Sequence, residues 1–459
     1  MSLGALALLW AVREAPIAAP PLLAADALGA FFALAVFGGL TLTAITLPEG
    51  ERLGWRPLAA AMTLAAAFLT ALTPVVIVCY AALALLTVPR VPGRCLPAPR
   101  DLLAPLGAAL LAVGYGILAL RGAVRYDERA AGAALDSLVF WFVLLAAIAP
   151  LLPLGSSEPS TERPALAILR IAWLYPLVRL YSLGPWNEGW TLATILLGSG
   201  AGLWAALAAL RSARGGGDLL VPACLAVAGF GLSTGAGLAA GCYGVLTYLV
   251  LAAASGANER DTTAHGSRPT TRDLSWLLTP AVPFGAPFVA TWMLVGAGVA
   301  GGVSLTAAAA WLAALLAAAA HLVAPVPRPP RATPTAAAAS LLLGVLAPLI
   351  VLVLVQPVIA QLQGGLSVYG DINVWPWVGL AAVDSARRGV TALPSVAAAA
   401  LMLVLSALVY LGARLRQELA PGDAPGDDGR AARPDGIAGA LRAEVPWLAR
   451  DGEPAGDDR

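Results

Sequence analysis

Apolar runs of about twenty residues recur along this 459-residue chain from Ala27 to Gly412, and most of its charged residues fall between them. With 59% hydrophobic and only 12% charged residues, a water-soluble globule of this length would have too little polar surface to face solvent. Runs of that length match the hydrocarbon thickness of a bilayer, where every backbone N–H and C=O has to be satisfied inside the protein. The expected fold is therefore all-α, a polytopic bundle of transmembrane helices.

Thirteen spans are expected, near Ala27 to Leu47, Pro57 to Leu72, Val75 to Val88, Leu102 to Leu120, Ser137 to Leu154, Pro164 to Leu183, Trp190 to Leu210, Leu219 to Leu232, Gly235 to Ala254, Trp276 to Ala300, Ser304 to Val323, Ala336 to Leu362 and Val396 to Gly412. Alanine, leucine and glycine dominate them, which suits close approach of helix backbones. The runs begin past the N-terminus and recur almost to the C-terminus, so a cleaved signal peptide does not account for them. The stretch from Leu3 to Val12 is too short to span.

The chain contains no lysine, and all 28 of its basic residues are arginines. If the Ala27 helix starts outside, the loops with Arg52 and Arg56, Arg90, Arg94 and Arg100, Arg211 and Arg214, Arg260, Arg268 and Arg272, and Arg328 and Arg331 fall in the cytoplasm. Two loops dissent: Arg121 to Arg129, with Asp127 and Glu128 as partial balance, and the segment with Arg387 and Arg388. The majority places the C-terminus in the cytoplasm. Four parts follow: an N-terminal segment 1–26, a transmembrane core 27–325, C-terminal helices 326–413, and a tail 414–459 too polar and Gly/Pro-rich to fold alone. Within the tail, Ile437 to Leu448 has the pattern of a short amphipathic helix. The connection from Gln363 to Arg388 carries Trp375 and Trp377, aromatics of the kind that sit at headgroup level.

Soluble-enzyme signatures are missing. The absence of lysine forbids a phosphate-binding Gly-x-x-x-x-Gly-Lys loop, and no His-Glu-x-x-His or clustered Cys/His pattern occurs. Cys79, Cys95, Cys224 and Cys242 have no CxxC spacing and read as small core residues. A net charge of +1 gives no reason to expect a nucleic-acid partner. No cofactor or metal is expected. Asp136 and Asp218 each precede an apolar run and read as helix caps. His321 reads as interfacial, and His265 lies in a polar loop.

Five segments in order carry a resemblance. They are ADALGAFFALAVFGG from Ala25, SSEPSTERPALAILRIAWLYPLVRL from Ser156, LATILLGSGAGLWAALAALRS from Leu192, LVPACLAVAGFGLSTG from Leu220, and VPFGAPFVATWMLVGAG from Val282. Together they cover about Ala25 to Val323 and resemble the antiporter-like subunits shared by respiratory complex I, membrane-bound hydrogenases and multi-subunit cation/proton antiporters. The resemblance implies inverted repeats, broken helices near Pro176 and Pro283, partner membrane subunits of a respiratory or antiporter-type complex, and proton or cation translocation. It also implies buried lysines that exchange protons, because burial brings their pKa into range.

Laid over this chain, the family's pattern falls on neutral residues. Cys79 and Tyr80 stand at its early glutamate, Ile171 at its central lysine, Tyr243 and Thr247 at its next histidine and lysine, and Thr291 at its last lysine. Arg170 and Arg179 flank the central position, but guanidinium stays protonated and cannot relay protons by alternating charge. Arg179 reads equally as a snorkelling helix-end residue or a functional one. Arg170 lies deeper in the run, and Asp26, Glu158, Glu162 or a carboxylate on another subunit are candidate partners.

The residues expected to line any ion path are thus Arg170, Arg179, Asp26, Tyr243, Thr247 and Thr291, with no catalytic residue. The expected function is that of a divergent antiporter-like subunit of a proton- or cation-translocating complex, lacking its own relay and serving a structural role. At most it is a non-redox subunit of an NADH-quinone oxidoreductase-like or hydrogenase-like assembly. Two alternatives stay open: a lipid-linked transferase using Asp127, Glu128, Asp371 or Asp384, and a secondary transporter with a single substrate site.

Overall fold

The computed structural model describes residues 2–408 and 411, apart from 14–15, 20–22, 48–52, 89–101, 123, 126–135, 153–162, 185, 212–216, 256–277, 283, 324–333, 364–379, 385–388, 394–399 and 406. Helices follow one another almost without interruption: α1 Ser2–Val12, α2 Ala27–Thr46, α3 Trp55–Leu69, α4 Thr73–Thr87, α5 Leu103–Leu120, α6 Ser137–Ile148, α7 Arg163–Arg170, α8 Leu174–Arg179, α9 Glu188–Arg211, α10 Gly217–Gly231, α11 Gly235–Ser255, α12 Ala286–Ala300, α13 Ser304–Val323, α14 Pro334–Val345, α15 Ala347–Ile350 and α16 Gln356–Gln363. Two small antiparallel hairpins accompany them, β1 Ile17–Ala19 with β2 Leu23–Ala25, and β3 Leu380–Asp384 with β4 Gly389–Leu393. β3 falls within the connection from Gln363 to Arg388, and β4 lies just beyond it.

Helix ends follow capping chemistry. Asp26 caps α2 by accepting the Gly29 N–H, and Asp136 caps α6 by accepting the Leu138 N–H. Arg121, at the end of α5, pairs with Asp136 at 2.6 Å, so the charge of one of the two dissenting loops is partly balanced. The Leu138 N–H and the Arg121 guanidinium hold the Asp136 carboxyl below the usual carboxylate range. At the opposite end of the bundle, Arg56 donates to the carbonyls of Leu86 and Val88 at 2.8 and 2.6 Å and closes the end of α4.

The centre is occupied by α11, whose apolar span is 94% buried, and by the broken run Pro164–Ser182, which is 83% buried. The span of α5 is only 28% buried and forms part of the rim. The three buried cysteines Cys79, Cys224 and Cys242 carry free thiols and pack as small core residues. Between α9 and α10 the backbones touch: a Cβ on Gly198 would lie 2.4 Å from the Ala228 nitrogen.

Among the described residues, five helices are long and apolar enough to cross a membrane, or six if the bent run from Pro334 to Leu362 counts as one span. Seven further apolar helices are 10–17 residues long, so length alone does not yield the thirteen spans expected. Two expected spans are corrected. The one placed at Trp276 to Ala300 becomes helical only at Ala286, because Pro280 and Gly285 interrupt a regular helix before it. The one placed at Ala336 to Leu362 bends by 78° between Val345 and Ala347, where Pro348 lacks the N–H needed to continue the ladder of α14. A five-residue π-helix, Val351–Val355, follows the bend. Residues 400–405 are helical within the last expected span, much of which lies outside the described residues, as does the tail.

Glycine substitutions test this packing. Gly344→Ala places a Cβ 1.9 Å from the Phe284 carbonyl oxygen, whereas Gly116→Ala meets nothing within 4 Å. Thermal unfolding in detergent is expected to show Gly344→Ala destabilised by about 2 kcal/mol or more, with Gly116→Ala unchanged or slightly stabilised.

Candidate functional site

The run from Arg163 to Ser182 is one helix in outline and four pieces in detail. Between α7 and α8 the chain tightens into a 3-10 turn, Ile171–Trp173, and a second such turn, Leu180–Ser182, ends it. Pro176 is the cause: it has no N–H to return to the carbonyl of Ala172. Tyr80, midway along α4, fills the gap by donating its hydroxyl to the Ala172 oxygen at 2.5 Å. Tyr115 donates to the Pro176 carbonyl at 3.0 Å, and Tyr248 to the Ala167 carbonyl at 2.6 Å. All three hydroxyls come from other helices, and all three tyrosines are fully buried. Ile171 is also fully buried, and Trp173 packs edge-on against Tyr80.

A second irregularity brings α11, α12 and α14 together. Tyr243 donates its hydroxyl to the Leu343 carbonyl just before the bend of α14. The Thr247 hydroxyl lies 3.0 Å from the Tyr243 carbonyl and 3.3 Å from the Ala286 carbonyl. The Ala286 N–H, at the start of α12, donates to the Ser340 hydroxyl at 3.2 Å. Gly344 leaves room for the Phe284 carbonyl to lie directly on the backbone of α14. Thr291 is buried and donates to the Pro287 carbonyl of its own helix at 2.9 Å. Pro283, the expected break, lies outside the described residues.

The one buried ion pair among the described residues joins the N-cap of α2 to the end of α8, just past Pro176. Asp26 and Arg179 are only 5% and 3% exposed, and Arg179 donates to the Asp26 Oδ2. The same Oδ2 accepts the Gln361 Nε2 at 2.9 Å, while Gln361 Oε1 accepts the Leu28 N–H at 3.0 Å and Asp26 Oδ1 accepts the Gly29 N–H at 2.8 Å. The first turn of α2 is buried, so its free N–H groups need partners from the protein, and a side chain 333 residues away supplies one. Tyr175 packs against Phe32 and Phe68 with its ring facing the Arg179 guanidinium, and its hydroxyl has no hydrogen-bond partner among the described residues.

Of the expected path residues, the structure joins Asp26 to Arg179 and Tyr243 to Thr247. Arg170 is half-buried at the end of α7, and Asp26, one of its candidate partners, is paired with Arg179 instead. Arg179 does not snorkel to the surface; it is held inside the protein. Glu158, Glu162, Asp127, Glu128, Asp371 and His265 lie outside the described residues, as do the side chains of Asp218, His321 and Asp384. Among the described residues no three His, Cys, Asp or Glu side chains come together to hold a metal. Sequence reasoning missed Gln361, Tyr115, Ser340 and the partner of Tyr248. A glutamine inside an apolar helix was the available signal for Gln361.

Removing one partner of a buried ion pair leaves a charge without compensation. Arg179→Met is expected to destabilise the protein by about 3–5 kcal/mol. Asp26→Asn combined with Arg179→Met is expected to cost less than the sum of the two single changes. Unfolding of the four proteins of this cycle in detergent measures the difference.

No protein-family model matches the chain, and no curated protein does. Solved structures do match in fold. A chain of the Mrp complex from Dietzia sp. DQ12-45-1b superposes with a TM-score of 0.65 at 15% identity, covering 100% of this chain and 57% of its own length. A chain of the membrane-bound sulfane sulfur reductase, an archaeal respiratory membrane complex, gives 0.63 at 15% identity over 98% of this chain and 86% of that one. A chain of respiratory complex I from Thermus thermophilus with bound NADH gives 0.53 at 17% identity over 79% and 94%. This chain thus spans little more than half of the Dietzia chain, and at such identities the likeness is one of fold. The chain thus shares its helical fold with the matched chains of these membrane complexes.

Proposed function

We propose that the chain is a membrane subunit of a multi-subunit proton- or cation-translocating complex, and that its own helix breaks carry no protons. Neutral hydroxyls at the breaks carry this reading: Tyr80, Tyr115 and Tyr248 at one, Tyr243, Thr247 and Ser340 at the other, each bonded to backbone. A relay through a bilayer needs groups that gain and lose charge at accessible pH, and phenols or alcohols donating to carbonyls do not. The residues at the family's ionisable positions, Tyr80, Ile171, Tyr243, Thr247 and Thr291, are neutral and buried.

The chain then serves its assembly structurally, as an insulating block between partner membrane subunits. Any redox chemistry belongs to those partners. The residues 27–325 form the antiporter-like core, 326–413 the helices added to it, and 414–459 a cytoplasmic tail. The arginine distribution supports the cytoplasmic membrane as its location, with that tail inside.

Proton flux tests the reading. Purified protein reconstituted into vesicles with an imposed pH gradient and a potassium potential is expected to dissipate the gradient no faster than empty vesicles. In the intact complex, Arg170→Ala and Arg170→Lys are expected to leave pumping unchanged. Specific flux through the isolated chain, abolished by Arg170→Ala, would overturn the proposal.

A further inference from the structure

We infer that Asp26 is a coupling junction through which the C-terminal helix α16 and the broken helix move together. Two donors share its Oδ2: Arg179 at the end of α8 and Gln361 on α16. Each donor follows an irregularity in its own helical run. Arg179 follows the 3-10 turn Ile171–Trp173, where Tyr80 pins the Ala172 carbonyl. Gln361 follows the bend at 345–347 and the π-helix Val351–Val355, beyond the point where Tyr243 pins Leu343 and Gly344 locks onto Phe284.

The two arms are therefore held firmly in the core and joined at their far ends by a single carboxylate. Each arm carries an irregular turn of the kind that often marks a hinge, the 3-10 turn Ile171–Trp173 in one and the π-helix Val351–Val355 in the other. If Arg179 withdraws, the Asp26 charge loses its counter-ion while Gln361 still holds it. If Gln361 withdraws, the buried Leu28 N–H loses its acceptor and Oδ2 loses one of its donors. Neither arm can leave without changing the bonding of the other, and linkage makes that coupling reciprocal. This inference goes beyond the proposed function and holds whether or not the chain conducts ions.

Hydrogen–deuterium exchange of the full chain in lipid nanodiscs, read by mass spectrometry, tests it. Gln361→Leu removes both bonds of the amide. Gln361→Glu keeps an acceptor for Leu28 but brings a carboxylate to Oδ2. Both are expected to raise exchange about tenfold or more at residues 171–182, and Arg179→Met is expected to do the same at 356–363. Exchange across α9 and α10 should stay unchanged in all three. If either Gln361 variant raises exchange only at 27–30 and within α16, leaving 171–182 as in the unaltered protein, the junction is a local cap and the inference fails. The Gln361 variants decide the matter even if Arg179→Met does not fold.

Discussion

A carbonyl released from its helix inside a membrane has no water to turn to, and the whole central region of this protein is arranged around that fact. Proline at position 176 and the bend after Gly344 each interrupt a helix in the interior, where an unsatisfied backbone group costs several kcal/mol. The donors that answer are tyrosine hydroxyls from α4, α5 and α11. Because each bridges from a separate helix, the bonds that repair the breaks also fix α4, α5 and α11 against the broken segments. Local irregularity thereby becomes global order.

The choice of tyrosine has a chemical consequence. A phenol is long enough to cross between helices, donates one hydrogen bond and stays neutral when buried. A lysine or glutamate at the same place would need a counter-charge or water, and water in a membrane interior is the medium of proton movement. The described interior holds a single ion pair, Asp26 with Arg179, at the end of α8 and enclosed by the N-cap of α2 and by Gln361. Its placement suits an anchor, since guanidinium cannot give up its proton.

Much of the fold was legible beforehand because hydrophobic length is a local property. Ten of the expected spans coincide with helical runs in the structure, and Asp26 and Asp136 cap the helices that follow them. Where the sequence reading failed, the cause was local backbone chemistry set against an uninterrupted apolar run. Pro280 and Gly285 delay the start of α12, and Pro348 splits a segment that hydropathy alone reads as continuous. The pairing of Arg179 stayed open for a different reason: an arginine at the end of an apolar run looks the same whether it reaches water or turns inward to a carboxylate 153 residues earlier.

By itself the sequence determined that the chain is a succession of apolar helices suited to a membrane and that no lysine is available to carry protons, since length, hydropathy and residue type need no partner to be read. The tertiary structure alone decided which hydroxyl meets which carbonyl and which cation meets Asp26. Tyr115 and Pro176 lie 61 residues apart and Asp26 and Arg179 lie 153 apart, and a hydrogen bond depends on a meeting within about 3 Å. Residue order does not specify such a meeting until packing has brought the helices together.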